Sequence, residues 1–186
     1  MIKGKRVVLR RKKLEDAWND YAWKKDPALA HLDATMPISV PFNIYLASYS
    51  EELRYHDHSD YRYGIDTYDG AHIGNCSIYN VNYLKGDGEL GIVIGDQQCW
   101  NQGYGQDAVR TLVNHVFSKG RVHTIYLHTL EENVRAQKCF EKCGFVASRR
   151  VTRGIYRFIV MEIRKPVSRP VADRNPVSRS KGSGEG

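Results

Sequence analysis

The chain has 186 residues, of which 41% are hydrophobic and 26% are charged, and its formal net charge is +7. This length allows one domain with a sizeable core, and the composition is typical of a soluble globular protein. No apolar run approaches the roughly 20 residues that a membrane span needs, so no membrane partner is expected. The N-terminal stretch MIKGKRVVLRRKK is basic but lacks an apolar signal core, which favours a cytoplasmic location.

The positive charge is concentrated at the two ends of the chain. Seven basic residues lie between Lys3 and Lys13, and residues 164–186 contain six basic residues against two acidic ones. A basic arm and tail could contact nucleic acid. No interleaving of aromatic and basic residues accompanies them, however, so solvated surface charge is the favoured interpretation and nucleic acid is an unlikely partner.

In chain order, the first third of the sequence predicts a strand and two helices. Arg6 to Arg10 alternates as a strand does. A helix is predicted from Leu14 to Lys24, and Asp26-Pro27 ends it. Residues 27–47 show no clear periodicity, and a second helix is predicted from Tyr49 to Tyr55.

A hairpin is predicted next. Two strands, Tyr61 to Thr67 and Ile73 to Tyr79, flank the turn signal Asp69-Gly70. The stretch from Glu89 to Gln106, ELGIVIGDQQCWNQGYGQ, then begins with the apolar run Leu90 to Ile94, which predicts a buried strand.

The second half of that stretch predicts a glycine loop that opens a helix. After Gly103-Tyr104-Gly105, apolar residues recur on one helical face, namely Ala108, Val109, Leu112, Val113, Val116 and Phe117. Two glycines before a helix bring backbone N–H groups and the positive helix end toward a ligand, which suits a phosphate or pyrophosphate. A purely structural turn is the alternative.

The glycines also fit a second motif. Gly103-x-Gly105-x-x-Ala108 matches the GxGxxG/A dinucleotide fingerprint. That fingerprint requires the glycines to follow the strand at once, whereas Gly95 to Gln102 intervene here, and no second nucleotide-binding half follows. A dinucleotide-binding protein is therefore the weaker alternative.

Motifs downstream carry a family resemblance. After a predicted strand, Ile125 to Thr129, comes ENVRAQKCFEKCGF, from Glu132 to Phe145. Together with WNQGYG, this N-x-x-A-x-x-x-F segment and its terminal Gly-Phe resemble the GNAT superfamily of acyl-CoA-dependent N-acetyltransferases, over roughly residues 74–163. The combination ELGIVIGD and W-x-x-GYG is most similar to the RimJ/RimL-type branch.

The resemblance implies an α/β fold with a mixed, mostly antiparallel seven-stranded sheet and helices on both faces. The last two strands are predicted near Val146 to Thr152 and Tyr156 to Ile163. In this fold the central strand and the next one splay apart, and the co-substrate acetyl-CoA enters the notch. The domain is expected to span residues 1–165, and residues 166–186 are expected to form a disordered basic tail.

The resemblance also places acetyl-CoA on the chain. Its pantetheine arm would pair with strand backbone near Ile92 to Ile94, and its pyrophosphate would meet the glycine loop. Asn133 would hold the pantetheine or a bridging water, or cap its own helix, and Phe140 would pack against the cofactor. The expected cofactor-binding residues are Ile92, Val93, Ile94, Gln102, Gly103, Tyr104, Gly105, Gln106, Asn133 and Phe140.

The implied chemistry is direct attack of an amine on the acetyl thioester in a ternary complex. Glu89 is expected to take the surplus proton of the amine through a water, and a backbone N–H to stabilise the developing oxyanion. Asn133 is the second expected catalytic residue. Many relatives carry a tyrosine as general acid where this chain has Phe140, so a non-catalytic acyl-CoA-binding module is an alternative.

The expected partner is a primary amine, either a protein N-terminus, a polyamine or another small amine. It should contact residues 25–60 and the last hairpin, where acidic and aromatic side chains could receive it: Asp26, Asp33, Glu51, Glu52, Asp57, Asp60, Trp23, Tyr45 and Tyr49. No metal is expected, because His56-Asp57-His58 lacks further ligands at useful spacing. The chain could also pair with a second copy of itself as a homodimer.

Overall fold

The protein is represented by a computed structural model that describes residues 1–55 and 61–166. Its strands are β1 (Ile2–Lys3), β2 (Val7–Arg10), β3 (Tyr61–Thr67), β4 (His72–Asn82), β5 (Asp87–Ile94), β6 (Thr124–Leu130), β7 (Val146–Arg153) and β8 (Tyr156–Arg164). Its helices are α1 (Ala17–Lys25), α2 (Pro27–Leu32), α3 (Phe42–Tyr55), α4 (Tyr104–Ser118) and α5 (Val134–Lys142). No helix in these two ranges is long and apolar enough to cross a membrane. The predicted tail lies, except for Pro166, outside the described residues.

One sheet contains all eight described strands, in the spatial order β1-β2-β3-β4-β5-β6-β8-β7. Neighbouring strands are antiparallel except β5 and β6, which are parallel. Their parallel pairing covers three positions and ends where Glu89 faces Tyr126. Beyond this point β5 continues to Ile94 and β6 to Leu130 without further pairing between them. The mixed sheet and its splayed central pair are therefore confirmed.

Helices cover both faces of the sheet, as β4 demonstrates. Cys76 joins the buried cluster that contains Val109 and Leu112 of α4. The preceding residue, Asn75, donates from Nδ2 to Asp20 of α1 over 2.6 Å. Successive strand residues point to opposite faces, so α4 lies on one face and α1 on the other. The main hydrophobic core lies on the face covered by α4.

Helix α4 begins and packs as its sequence predicts. Gly103 precedes it with φ +85, in the left-handed region that favours glycine. The apolar residues predicted to share one face are all buried: Ala108, Val109, Leu112, Val113, Val116 and Phe117.

Two helices differ from the sequence prediction. Helix α3 begins at Phe42 rather than at Tyr49, and the ring of Phe42 stacks on Trp18 of α1 with centroids 3.9 Å apart. This contact between distant segments leaves no periodic signal in the local sequence. Helix α2 occupies a stretch without predicted structure, because the Asp26-Pro27 pair that ends α1 also begins α2. Asp26 accepts hydrogen bonds from the next helix's N–H groups, and proline is well suited to a first helical position.

The strand count also differs, eight rather than seven. The seven predicted strands are all present, and β1 adds a short edge strand in which Ile2 pairs with Leu9 of β2. A strand of two residues is too short for its alternation to be recognised in a sequence.

A buried ion network joins β2 to the segment that precedes α1. Arg10 donates to both carboxylate oxygens of Asp16 at 2.6 and 2.7 Å, and to both oxygens of Asp66 at 2.6 and 2.8 Å. Asp16 is only 2% exposed. Burial alone would raise the pKa of Asp16, but hydrogen bonds from Arg10 and from the Lys13 N–H outweigh it and hold that pKa below its usual value.

We predict that Arg10→Ala lowers the free energy of unfolding by about 3–5 kcal/mol, because it leaves two buried carboxylates without their cation. The matched control is Arg11→Ala at the exposed neighbouring residue, which should change stability by less than ~0.5 kcal/mol. Denaturant unfolding at pH 7 measures both values. Because the folded-state pKa of Asp16 is depressed, its contribution is present above the unfolded pKa of about 3.9 and is lost as pH falls through the folded value. The two curves should therefore converge in acid, and equal stability of wild type and Arg10→Ala at pH 7 would contradict the prediction.

Candidate active site

Two cavities meet along β5, in the stretch that β6 leaves unpaired. The first, called here the loop cavity, has a volume of about 880 Å³ and lies between the glycine loop and α5. The second, called the aromatic cavity, has a volume of about 650 Å³ and is lined by the rings of Trp23, Tyr45, Tyr49, Tyr63 and Tyr79. Four residues line both cavities: Leu29, Asp33, Ile92 and Val93.

The loop cavity collects most of the residues predicted to bind the cofactor. Those that line it are Ile92, Val93, Ile94, Gln102, Gly103, Gly105, Gln106, Asn133 and Phe140. The exception is Tyr104, whose side chain packs against the hydrophobic core instead. Tyr104 can therefore offer this cavity its backbone N–H, as the first residue of α4, but its ring does not line the wall.

The N-terminus of α4 gives the loop cavity an anion-binding end. The N–H groups of Tyr104, Gly105 and Gln106 are in the first turn, where a helix supplies no carbonyl partner. The helix adds partial positive charge at the same end. The arrangement suits a phosphate group.

Positive side chains surround this helix end. Among the described residues, the basic side chains lining the loop cavity are Lys5, Arg6, Arg110, Arg135, Lys138 and Lys142. Asp107 of α4 fixes the N-terminal arm, because its Oδ2 accepts hydrogen bonds from the N–H groups of Arg6 at 2.7 Å and Val7 at 3.1 Å. Part of the basic arm thus contributes to a cavity, which its interpretation as solvated surface charge does not anticipate.

The sequence indicates the position of some of these basic side chains but not of others. Arg135, Lys138 and Lys142 are spaced i, i+3 and i+7, which places them on one side of α5. Arg135 also lies 3.3 Å from the centroid of the Trp100 ring, a cation–π contact. Lys5 precedes Arg6, whose N–H donates to Asp107, and this contact joins segments about a hundred residues apart in the chain.

Asn133 has both positions that the sequence suggests. Its Oδ1 accepts a hydrogen bond from the N–H of Ala136 at 3.2 Å and so caps α5. The same side chain lines the loop cavity. Because the carbonyl oxygen serves the helix, the amide nitrogen is the group that can donate into the cavity.

Cys139 lies beside the glycine loop. A Cβ added to Gly105 would be 4.0 Å from its Sγ. A hydrogen bond from the thiol of Cys143, opposed by burial and aided by nearby basic side chains, lowers the pKa of Cys139. The structure thus places this thiol at the glycine-loop end of the cavity.

Glu89 lies at the fork where β5 and β6 separate, and it is 7% exposed. Its Oε1 is 2.6 Å from Nδ1 of His128, and its Oε2 accepts from Asn80 at 3.1 Å. Arg153 Nη2 lies 3.0 Å from Nε2 of His128. Arginine can only donate, so Nε2 accepts, and Nδ1 carries the hydrogen that Glu89 accepts. The side chain is thus held firmly, but Glu89 itself lines neither cavity.

Two tyrosines flank Glu89 across the strands. Tyr79 faces it from β4 and Tyr126 faces it from β6. Burial first, and then the carboxylate of Glu89, raise the pKa of both phenols. Of the two, Tyr79 lines the aromatic cavity and Tyr126 does not. The sequence gives no signal for Tyr79, because its position opposite Glu89 depends on a hairpin register that shifts between Tyr79 and Asn82.

The aromatic cavity receives part of the predicted acceptor site. The candidates that line it are Asp33, Glu52, Trp23, Tyr45 and Tyr49. Asp26 instead caps α2 and accepts from Gln97, and Glu51 is not part of the lining. Asp57, Asp60 and the His56-Asp57-His58 motif lie outside the described residues. Within the described ranges, no group of three or more His, Cys, Asp or Glu could hold a metal ion.

The charges of the aromatic cavity do not match a purely acidic site. Its described lining includes five basic residues, Arg11, Lys12, Lys24, Arg54 and Arg62, against three acidic residues, Asp20, Asp33 and Glu52. Asp20 pairs with Lys12 and also accepts from the Tyr49 hydroxyl at 3.0 Å. Burial lowers the pKa of Lys12, and Asp20 opposes that shift.

Known proteins share both the sequence family and the fold. A family model described as acetyltransferase (GNAT) domain matches residues 6–146. The chain is 28% identical to the spermidine N(1)-acetyltransferase of Vibrio cholerae serotype O1 (strain ATCC 39315 / El Tor Inaba N16961) over 91 residues, which are 49% of this chain and 52% of that protein. The chain thus spans about half the length of the curated relative it matches.

Two solved structures illustrate the likeness in fold. An acetyltransferase (GNAT family) from Bacillus anthracis has a TM-score of 0.74 at 14% identity, covering 88% of this chain and 97% of that one. A spermidine N-acetyltransferase from Vibrio cholerae, in complex with CoA and spermine, has a TM-score of 0.74 at 20% identity, covering 86% and 95%. Neither bears on the RimJ/RimL-type branch, which stays a prediction.

The dinucleotide alternative does not fit the observed fold. A doubly wound dinucleotide domain has a mostly parallel sheet, whereas here β5 and β6 are the one parallel pair among the described strands. The turn Gln97–Cys99 also separates β5 from the glycines. The chain belongs to the GNAT acetyltransferase family, the superfamily of acyl-CoA-dependent N-acetyltransferases that its motifs resemble.

Proposed function

We propose that the protein transfers an acetyl group from acetyl-CoA to a primary amine by direct attack in a ternary complex. The observation that carries this proposal is the meeting of two cavities at the splayed strands. A cationic cavity opens on one side and an aromatic cavity on the other, and Ile92 and Val93 line both. A thioester and an amine could thus approach one point from two sides, which removes much of the entropic cost of their encounter.

Acetyl-CoA occupies the loop cavity in this proposal. Its pyrophosphate meets the first-turn N–H groups of α4 and the basic side chains around them. Its pantetheine amides pair with the backbone of Ile92 to Ile94, on the side of β5 that β6 leaves unpaired. Asn133 donates to the pantetheine or to a bridging water, and Phe140 packs against the cofactor. A backbone N–H of β5 then stabilises the oxyanion as the amine attacks.

Glu89 is the general base of the proposal and Asn133 its second functional polar residue. An amine attacking as a nucleophile has a surplus proton, and a carboxylate held at the fork can receive it through an intervening group. Its hydrogen bonds to His128 and Asn80 hold the carboxylate in place. The leaving thiolate needs no tyrosine at Phe140, because a thiolate is a tolerable leaving group.

The acceptor in this proposal is a small primary amine or a protein α-amine, in keeping with the predicted RimJ/RimL-type branch. The related Vibrio cholerae enzyme is named for spermidine, which makes a polyamine the first alternative acceptor. The basic side chains Arg11, Lys24 and Arg54 in the described lining of the aromatic cavity favour an acceptor with fewer positive charges. Assembly into a homodimer stays a prediction.

The cofactor site is tested by Gly105→Glu, with Gly105→Gln as the matched control. A Cβ at this position would lie 3.4 Å from Ile94 Cγ1, an ordinary contact, so both variants should fold. The carboxylate would repel the pyrophosphate, and we expect the Kd for acetyl-CoA to rise at least about tenfold more for Glu than for Gln, which corresponds to ~1.4 kcal/mol. Titration calorimetry measures both. Equal affinities of the two variants would place the pyrophosphate elsewhere.

The acceptor class is tested by an amine panel in which release of free CoA is measured. We expect a peptide with an unmodified α-amine, or a small monoamine, to have a higher kcat/KM than spermidine at equal ionic strength. The same peptide with an acetylated N-terminus is the control and should release no CoA. Preference for spermidine and spermine over every monoamine would contradict the charge argument and support a polyamine acetyltransferase.

The base is tested by Glu89→Gln, which keeps the size of the side chain but removes the basic oxygen. We expect kcat to fall by about 10²-fold at pH 7, the usual size of a general-base contribution, and to recover as pH rises toward the pKa of the amine. The loss should be larger for a lysine-like amine of pKa near 10.4 than for an α-amine near 8.

The Kd for acetyl-CoA serves as the control for Glu89→Gln and should not change. The melting temperature should fall, because the new amide NH2 faces either His128 or Asn80, which both donate to Glu89. A pH profile identical to that of the wild type would remove Glu89 from the mechanism. The alternative of a non-catalytic acyl-CoA-binding module predicts cofactor affinity in the wild type without CoA release for any amine.

A further inference from the structure

The position of Glu89 leaves a gap in the proposed proton path. The carboxylate is 7% exposed and lines neither cavity, and His128 and Asn80 donate to its two oxygens. An amine held in the aromatic cavity therefore needs an intermediate group to pass its proton to Glu89. Each carboxylate oxygen has two lone pairs, so each oxygen of Glu89 can accept one more hydrogen bond.

Tyr79 lies between Glu89 and the aromatic cavity. It faces Glu89 directly across the β4–β5 ladder and also lines the cavity. Its ring leans along β5 over Gly91, since a Cβ added to Gly91 would be 3.0 Å from its Cε1. The missing side chain of Gly91 thus provides the space that the ring fills. Tyr79 is 38% exposed, which leaves it accessible from the cavity.

The phenol of Tyr79 has the properties of a group that both gives and receives a proton. Burial and the neighbouring carboxylate, which acts through its charge and a hydrogen bond, raise its pKa and keep it protonated at neutral pH. A protonated phenol can donate to Glu89 while its oxygen accepts from a second partner. The side chains that act on this pair directly are Asp33, Asn80, Tyr126 and His128. Farther out, Asp87 and Arg149 act on Tyr126, and Arg153 contacts His128.

We propose that the hydroxyl of Tyr79 relays the proton from the acceptor amine to Glu89. The proposal rests on the proposed function and deepens it. The bound ammonium passes one N–H proton to Tyr79 Oη as the original Tyr79 proton passes to Glu89, which leaves a neutral amine. The amine nitrogen then bonds to the acetyl carbon, the C–S bond breaks, and the leaving thiolate of CoA takes up the second N–H proton through water. Glu89 returns its proton to solvent by the reverse path, so the net reaction is ammonium plus acetyl-CoA to amide, CoA and one proton.

The test compares Tyr79→Phe with Tyr126→Phe. Both variants remove one hydroxyl next to Glu89 and keep the ring, but only the first removes a hydroxyl that faces the aromatic cavity. We expect Tyr79→Phe to lower kcat about 10²-fold at pH 7 and to leave the Kd for acetyl-CoA unchanged. The kcat of this variant should recover as pH rises toward the pKa of the amine. Tyr126→Phe should stay within about twofold of the wild type. The double variant Tyr79→Phe/Glu89→Gln should be no slower than Glu89→Gln, because the two residues act on one proton.

Several outcomes would overturn the relay. A kcat and pH profile of Tyr79→Phe within twofold of the wild type would show that the proton takes another path, while the acetyltransferase function stands. A higher KM or a lower melting temperature with an unchanged pH profile would reduce Tyr79 to a packing role. A wild type that binds acetyl-CoA but releases no CoA with any amine would overturn the proposed function and the relay together.

Discussion

The end of the parallel pairing at Glu89 and Tyr126 is the feature on which the site depends. Two parallel strands that stayed paired would use the backbone groups of Leu90 to Ile94 within the sheet. Because β6 turns away after Tyr126, that edge of β5 has no strand partner in the middle of the sheet, although the Ile94 carbonyl accepts from Nε1 of Trp100 at 2.7 Å. The same divergence lets Ile92 and Val93 contribute to the walls of both cavities. The unpaired edge of β5 and the meeting point of the two cavities thus have one structural cause.

The two faces of the sheet carry different parts of the candidate site. On the face of α4 and α5, the N-terminus of α4 and basic side chains form the loop cavity, which suits phosphate groups, and the buried core beneath holds α4 in place. On the face of α1 and α3, polar and aromatic side chains form the aromatic cavity and the setting of Glu89. Alternation along a strand produces this division, since Leu90 joins the core while Glu89, one residue earlier, meets His128 on the other face.

What the sequence could reveal follows from how local each feature is. The glycine loop and α4 were predictable because the helix carries its own apolar face and its own glycine start. The predicted start of helix α3 lies too far along the chain, because Phe42 belongs to the helix through its packing on Trp18. Lys5 lies at the loop cavity in an arm that Asp107 binds. Tyr79 lies opposite Glu89 because of a shifted hairpin register. Contacts between distant segments leave no periodic trace, so the sequence predicts the glycine loop and α4 better than the lining of the aromatic cavity.

The tyrosine missing at Phe140 is consistent with this division of the faces. Phe140 is 7% exposed and packs against Phe145 with ring centroids 5.9 Å apart, so its position serves the core as well as the loop cavity. Titratable groups cluster instead at the fork, where Tyr79, Tyr126 and His128 surround Glu89. If the proton leaves through Tyr79 and Glu89, the thiolate departs on the side of α5 without a dedicated acid. Phe140→Tyr should then change kcat less than Tyr79→Phe does, because the proton that limits the reaction is the one on the amine.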